Sequence, residues 1–229
     1  VRRDGRVVVF MGDRLNRLAQ LKPAMYLRGI EAILMDLQLS PEIAHAIFSR
    51  IRRFYVAYAE RIFEAAAGKL DILLTGDDFG TQAGPMLSPG MWEEFLGKGF
   101  AQYADLARAY GLRLMHHTCG SVAPLIPLMQ ERGLEVLQSL QPEAADMAPR
   151  RLKAEFGARL AFHGGISIQR TLPFASAAEV RAEVQDRVEA LAPDSGYILC
   201  TSHNIQADTP LENVRALLAA YAEHGRYRS

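Results

Sequence analysis

Short apolar runs alternate with longer amphipathic stretches along most of this chain. Six of the apolar runs have the length and surroundings of strands, at residues 7–10, 72–74, 112–115, 136–140, 160–162 and 197–199. The stretches between them have the apolar spacing of helices that bury one face. Strands that alternate with helices pair in parallel through right-handed crossovers. The pattern therefore predicts an α/β fold.

Capping signals mark the starts of three predicted helices. A serine followed by a proline at residues 40–41 predicts the start of a long helix, with serine as the cap and proline in the first turn. Ser176 with Glu179, and Thr209 with Glu212, fit the capping box, in which an acid three residues on bonds back to the cap. These signals fix where three of the crossover helices should begin.

The order of the elements favours a (β/α)8 barrel of the TIM type over a doubly wound sheet. Polar residues follow nearly every predicted strand, and no Gly-x-Gly-x-x-Gly follows one. A closed barrel has eight strands, so the six seen here indicate that one or two strands at the N-terminus are missing. No linker divides the chain, and residues 1–229 are predicted to form a single, N-terminally truncated barrel domain.

The amino-acid composition limits the kinds of molecule that this protein is expected to bind. With 229 residues, 49% hydrophobic and 23% charged, the chain is typical of a globular protein. Lysine plus arginine equals aspartate plus glutamate at 26 each, so no net field attracts nucleic acid or an anionic membrane. There is no membrane-spanning apolar stretch and no signal peptide pattern, and there are only two cysteines. We expect a cytoplasmic protein that acts on a small molecule, without a nucleic-acid or membrane partner.

Two predicted strand ends carry metal-ligand chemistry. His117 and Cys119 follow one strand, and Cys200 and His203 follow another, so both cysteines of the chain lie at such ends. A His-x-Cys pair on an extended segment points both side chains to one face. Zinc takes sulfur and imidazole ligands, and a catalytic site uses three of them. Either Cys200 or His203 could be the third ligand; alternatively, both cysteines are buried core residues.

Other polar residues at the strand ends are candidates for catalysis and binding. Asp77 and Asp78 follow the second predicted strand, where one could accept a proton or hold a ligand histidine. Equally, they could cap a helix or anchor a loop. Gln141, Asn204 and Gln206 could hydrogen-bond a substrate, or could anchor loops.

Seven short motifs together resemble the uroporphyrinogen decarboxylase superfamily and, within it, the zinc-dependent corrinoid methyltransferases. They lie at residues 26–29, 75–82, 87–89, 117–121, 163–166, 202–206 and 209–213. In these methyltransferases the metal ligands are a His-x-Cys-Gly and a later cysteine, so the resemblance implies that His117 and Cys119 bind Zn²⁺. It places the later cysteine opposite His203, with Cys200 three residues earlier, and leaves the third ligand open.

The resemblance implies a methyltransferase that works with a corrinoid carried on a partner protein. It would move a methyl group between a methylated small molecule or a thiol and cobalt. Family members also associate, which is compatible with a homodimer. Two alternatives stay open: metal-free decarboxylation of a porphyrinogen, and a non-catalytic module that binds a corrinoid or a tetrapyrrole.

Overall fold

The computed structural model describes residues 5–11 and 17–227, which group into two compact units. The first unit runs to Phe79 and adds Pro85–Thr118 and Pro124–Glu135. The second unit consists of Gly80–Gly84, Cys119–Ala123 and the chain from Val136 onward. The single barrel domain inferred from the sequence stays a prediction.

Three parallel strands in chain order form the sheet of the first unit. They are β1 (Val9–Phe10), β2 (Ile72–Gly76) and β3 (Arg113–His117). Its helices are α1 (Leu21–Arg28), α2 (Ile30–Leu39), α3 (Pro41–Ala66), α4 (Pro89–Trp92), α5 (Lys98–Ala109) and α6 (Ile126–Glu131). A π-helical turn, Glu93–Gly97, joins α4 to α5.

The second unit also has three parallel strands in chain order. They are β4 (Val136–Leu140), β5 (Ala161–Ile166) and β6 (Tyr197–Thr201). Its helices are α7 (Pro149–Phe156), α8 (Thr171–Phe174), α9 (Ala177–Leu191) and α10 (Leu211–His224). All six predicted strands are present within the described residues, and the predicted α/β class is confirmed.

Each unit buries its own apolar core. In the first unit Leu73 of β2 and Leu114 of β3 are fully covered, together with Phe48 of α3 and Trp92 of α4. In the second unit the core joins the end of β5 to helices α8, α9 and α10 through Ile166, Leu172, Val180, Val184, Ala216, Leu217 and Ala220. These cores hold the helices against the sheets and leave the carboxyl ends of the strands free to carry polar residues.

Two of the three capping predictions are confirmed, and the third is wrong in detail. Ser176 and Glu179 form the predicted capping box at the start of α9. The long helix does follow Ser40, but the Ser40 side chain makes no capping hydrogen bond. At α10 the cap is Pro210 rather than Thr209, again without a side-chain bond. Proline in the cap position has no side-chain acceptor, so no capping box can form there.

We predict that Ser176→Ala destabilises the protein by about 1 kcal/mol, because the amide of Glu179 loses its side-chain acceptor. Ser40→Ala is the matched control and should change the free energy of unfolding by less than about 0.5 kcal/mol. Urea denaturation followed by circular dichroism measures both variants. Equal losses for the two serines would contradict this assignment of the caps.

Candidate functional site

The carboxyl ends of β2 and β3 bring several polar residues of the first unit together. Gly76 and His117 are register partners and the last residues of their strands. The backbone N–H of Asp77 continues the pairing and donates to the carbonyl of His117 at 3.1 Å. The two acids predicted as catalytic therefore leave the sheet beside His117. Because β3 ends at His117, the strand alternation assumed for the His-x-Cys pair does not extend to Cys119.

Asp77 is a buried anchor for the main chain. Its Oδ2 accepts hydrogen bonds from the N–H groups of Gln20 at 2.5 Å and Leu21 at 2.9 Å, and its Oδ1 accepts one from Lys22 at 2.7 Å. Burial raises the pKa of Asp77 to about 6, although these three donors oppose the rise. The carboxylate accepts hydrogen bonds from amides at the start of α1 that have no partner within the helix. It therefore acts as a helix cap that comes from a distant part of the chain.

Asp78, unlike Asp77, interacts with side chains rather than with main-chain amides. Its Oδ2 lies 2.5 Å from Nζ of Lys22, and its Oδ1 lies 3.5 Å from Nε2 of His117. Burial alone would raise the pKa of Asp78, but the interactions with His117 and Lys22 outweigh it and hold that pKa well below its usual range. A carboxylate in this position orients the imidazole of His117. Lys22 was not predicted from the sequence, because a single lysine near the start of a helix has no distinctive pattern.

His116 precedes His117 in β3, so its side chain leaves the strand on the opposite face, where it has a structural role. Its ring stacks on Phe79 with centroids 5.0 Å apart and meets Phe100 edge-on at 4.9 Å. Its Nδ1 lies 2.8 Å from Oγ1 of Thr75. Burial lowers the pKa of His116 to about 3, so the imidazole stays neutral. The two adjacent histidines thus have different roles: one packs in the core and the other ends the strand.

In the second unit the structure brings Cys119 and His203 together. The Sγ atom of Cys119 and a ring nitrogen of His203 lie within 4.8 Å of one another, a separation that one metal ion can span. His117, in the first unit, precedes Cys119 by two residues in the chain. Cys200 does not belong to this group of donor atoms; its Sγ lies 4.0 Å from Oγ1 of Thr201. Burial raises the pKa of the Cys200 thiol.

The turn that carries Cys119 is held by main-chain contacts. Gly120 has φ +79°, and a Cβ atom there would lie 2.5 Å from the carbonyl oxygen of Thr81, so this position requires glycine. The N–H of Ser121 donates to that same carbonyl at 2.7 Å. The amide of Gly120 donates to Oε1 of Gln141 at 2.8 Å. Gln141, predicted to bind substrate, uses this oxygen to fix the turn.

The other two predicted substrate-binding residues lie in the loop after β6. Asn204 and Gln206 are exposed, and Nε2 of Gln206 donates to the carbonyl of Asn204 at 2.9 Å. Contact of these residues with a substrate stays a prediction. Asn213, which the sequence reasoning quoted only as part of a motif, is buried and donates to the carbonyls of Leu172 and Ala175, so that α10 supports α8.

Comparison with known proteins places this arrangement in a family. The sequence profile of the family Uroporphyrinogen decarboxylase (URO-D) matches residues 19–224, nearly the whole chain. The chain belongs to the URO-D family. This confirms the superfamily inferred from the seven motifs.

Two curated relatives have different activities in their names. One is the methylcobamide:CoM methyltransferase MtaA of Methanosarcina barkeri, 28% identical over 173 residues, which cover 74% of this chain and 45% of that protein. The other is the uroporphyrinogen decarboxylase of Anaeromyxobacter dehalogenans, 27% identical over 202 residues, which cover 86% and 53%. The chain spans about half the length of either relative. The family contains enzymes, and identity alone does not separate these two activities.

A solved structure confirms the fold. A methyltransferase from Methanosarcina mazei matches with a TM-score of 0.71 at 22% identity, and the match covers 91% of this chain and 57% of that one. The predicted α/β fold of the TIM-barrel type is therefore confirmed, with six strands among the residues described here. None of the helices within those residues is long and apolar enough to cross a membrane.

We predict that Asp77→Ala lowers the free energy of unfolding by about 3 kcal/mol, because three main-chain N–H groups lose their acceptor. Asp78→Ala is the matched control and should cost about 1 kcal/mol or less, since Asp78 and its partner Lys22 are both partly exposed to solvent. Urea denaturation measures both. Hydrogen exchange should show faster exchange of the amides of residues 20–22 in Asp77→Ala only; unchanged exchange there would contradict the anchoring role.

Proposed function

We propose that this chain carries the zinc site of a methyltransferase that acts with a corrinoid protein. The observation that carries the proposal is the approach of Cys119 and His203 within the second unit, with donor atoms within 4.8 Å. His117 is proposed as the third ligand, because it stands two residues before Cys119 in a His-x-Cys-Gly motif like that of the methyltransferases. One sulfur and two imidazole nitrogens form a donor set that suits zinc and leaves its fourth position open.

His203 is preferred to Cys200 as a ligand for two reasons. Cys200 lies outside the group of donor atoms, and burial raises the pKa of its thiol. A metal ligand must be the thiolate. The choice of His203 agrees with its alignment opposite the later cysteine of the corrinoid methyltransferases, because imidazole can replace thiolate as a ligand of zinc.

The surrounding residues of this chain would position the ligands. Asp78 accepts from His117 and limits rotation of its ring, while Lys22 balances the charge of that carboxylate. Gln141 fixes the Gly120 amide and with it the turn that presents Cys119. Asp77, whose two oxygens are occupied by main-chain amides, is proposed as the anchor of this strand end rather than as a proton acceptor.

The proposed reaction transfers a methyl group between cobalt and a small molecule. A bound zinc ion would supply a Lewis acid, either for a thiol, whose pKa it lowers, or for the oxygen of a methoxy compound. In the thiol direction the cobalt–carbon bond breaks with its electron pair left on cobalt, a sulfur–carbon bond forms, and the thiol proton leaves to solvent. The corrinoid belongs to the partner protein, and Asn204 and Gln206 are candidate contacts for the small molecule.

Decarboxylation of a porphyrinogen is the second candidate, supported by the relative named uroporphyrinogen decarboxylase. A substrate with many carboxylates needs several available cations, and Lys22 beside the end of β2 is already paired with Asp78. A metal-free decarboxylase would also have no use for the pairing of Cys119 with His203. We therefore rank methyl transfer first, and a non-catalytic corrinoid- or tetrapyrrole-binding module third.

We predict about one zinc ion per chain in the purified protein, and loss of most of it in Cys119→Ala and in His203→Ala, because each variant removes a ligand. Cys200→Ala is the matched control, since it removes the other cysteine and should keep its zinc. Elemental analysis measures the metal. Transfer of methyl from methylcobalamin to 2-mercaptoethanol, followed as methyl thioether formed, should fall in parallel with the zinc content.

Two results would contradict the proposal. One is well-folded protein without zinc even after zinc is supplied, which would favour the metal-free decarboxylase. The other is loss of zinc in Cys200→Ala with full retention in Cys119→Ala, which would reverse the ligand assignment.

A further inference from the structure

The last strand of the second unit has one open edge. β6 pairs with β5 on one side, where the carbonyl of Gly196 accepts from Phe162 at 2.8 Å and the N–H of Ser202 donates to Ile166 at 2.9 Å. In a parallel ladder the main-chain groups of alternate residues point to opposite edges. No strand within the described residues pairs with β6 on its other side. The main-chain groups that point to this open edge are those of residues 197, 199 and 201.

One tyrosine side chain occupies the first position of this edge. The hydroxyl of Tyr227 accepts a hydrogen bond from the N–H of Tyr197 at 2.8 Å and donates one to the carbonyl of Tyr197, also at 2.8 Å. These are the two main-chain groups that a neighbouring strand would use. A side-chain hydroxyl thus takes the place of a strand partner at Tyr197.

The segment after α10 brings Tyr227 to the edge but holds it weakly. The chain passes close to β6 at Gly225, where a Cβ atom would lie 3.6 Å from Cδ2 of Leu199. The Tyr227 side chain is 56% exposed, so its two hydrogen bonds rather than burial keep it in place. The net contribution of such bonds to stability is small, because water offers the same groups equivalent bonds. A second strand could therefore displace this side chain.

The open edge is self-complementary. Two copies related by a two-fold axis can pair their β6 strands antiparallel, with Leu199 of one copy opposite Leu199 of the other and Tyr197 opposite Thr201 on either side. Each opposed pair exchanges two hydrogen bonds, which gives six in all. With Tyr227 in place the groups of Tyr197 are occupied in both copies, and only the two bonds of the central pair remain possible. The tyrosine therefore blocks most of this contact.

The helix that follows β6 presents an apolar surface on the same unit. In the core of this unit α10 contributes Ala216, Leu217 and Ala220. Leu211 and Leu218, seven residues apart and so on one face of α10, are instead 63% and 60% exposed. A two-fold antiparallel pairing of β6 places the α10 helices of both copies on the same side of the joined sheet. Burial of these leucines would add to the main-chain hydrogen bonds.

We propose that the open edge of β6 is an interface for a second copy of this chain, and that Tyr227 holds this interface closed. Edge strands with unpaired N–H and C=O groups accept strands from other chains unless something covers them. A second copy is the partner because the outward-facing residues lie symmetrically about Leu199, and a two-fold contact uses the same patch on both copies. None of these residues is a proposed zinc ligand, so the inference is independent of the proposed function.

The test compares the self-association of Tyr227→Phe with that of the wild type. The variant keeps the ring but lacks the hydroxyl, so no hydrogen bond to Tyr197 has to be broken in either copy. Sedimentation equilibrium of the purified full chain over a range of concentrations gives the dissociation constant of the pair. It should fall about 100-fold, as expected for four hydrogen bonds that need not be displaced. Tyr26→Phe, which alters another exposed tyrosine, is the matched control and should associate as the wild type does.

Two further measurements locate the association at this edge. Thr201→Pro removes an N–H that points away from β5, so combining it with Tyr227→Phe should abolish the gain in association. Hydrogen exchange at the amides of Leu199 and Thr201 should slow in Tyr227→Phe as its concentration rises, because the second copy supplies their acceptors.

The outcomes distinguish this inference from the proposed function. Association of Tyr227→Phe no stronger than that of the wild type would overturn the inference. Stronger association that persists in the double variant, or that leaves the exchange of the Leu199 amide unchanged, would also overturn it, since the contact would lie elsewhere. Zinc content tests the proposed function separately, and it should be the same in Tyr227→Phe as in the wild type.

Discussion

One buried carboxylate organises the candidate site in the first unit. Asp77 accepts three main-chain N–H groups from residues 20–22 and so ties the start of α1 to the end of β2, more than fifty residues away in sequence. That tie places Lys22 beside Asp78 and Arg17 against Gly76. Without it the cations of this segment would have no fixed relation to His117. The carboxylate of Asp77 serves as the acceptor that a main-chain carbonyl would otherwise have to supply. Burial raises the pKa of Asp77, because placing an ionised group in the interior costs free energy.

In the second unit, hydrogen bonds and a close backbone contact hold Cys119 at the start of a sharp turn. Gly120 allows the chain to pass close to the carbonyl of Thr81, and Oε1 of Gln141 accepts a hydrogen bond from the N–H of Gly120. The turn is thus fixed on both sides by hydrogen bonds, and Cys119 lies beside His203. Membership in the URO-D family accounts for the scaffold. Methyl transfer is proposed from the chemistry of the side chains that the scaffold carries.

The sequence predicted the strands well, because each is a compact apolar run, but not where they end. β2 continues to Gly76 and β5 to Ile166, past polar or glycine residues that do not look like strand formers in isolation. Caps were predicted where the whole signal is local, as at Ser176, and failed at Thr209, where a proline took the cap position. The candidate ligands could be named from residue type and spacing. The role of Asp77 could not, because it depends on contacts with distant residues that no local pattern encodes.

The most direct test of this account is X-ray absorption at the zinc edge of the purified, zinc-loaded protein. A site of His117, Cys119 and His203 predicts a first shell with one sulfur at about 2.3 Å and nitrogen or oxygen ligands at about 2.0–2.1 Å, with imidazole scattering beyond them. Addition of 3-mercaptopropionate should raise the sulfur count from about one to about two. Two sulfurs before any thiol is added, or a shell without imidazole, would contradict the proposed ligands.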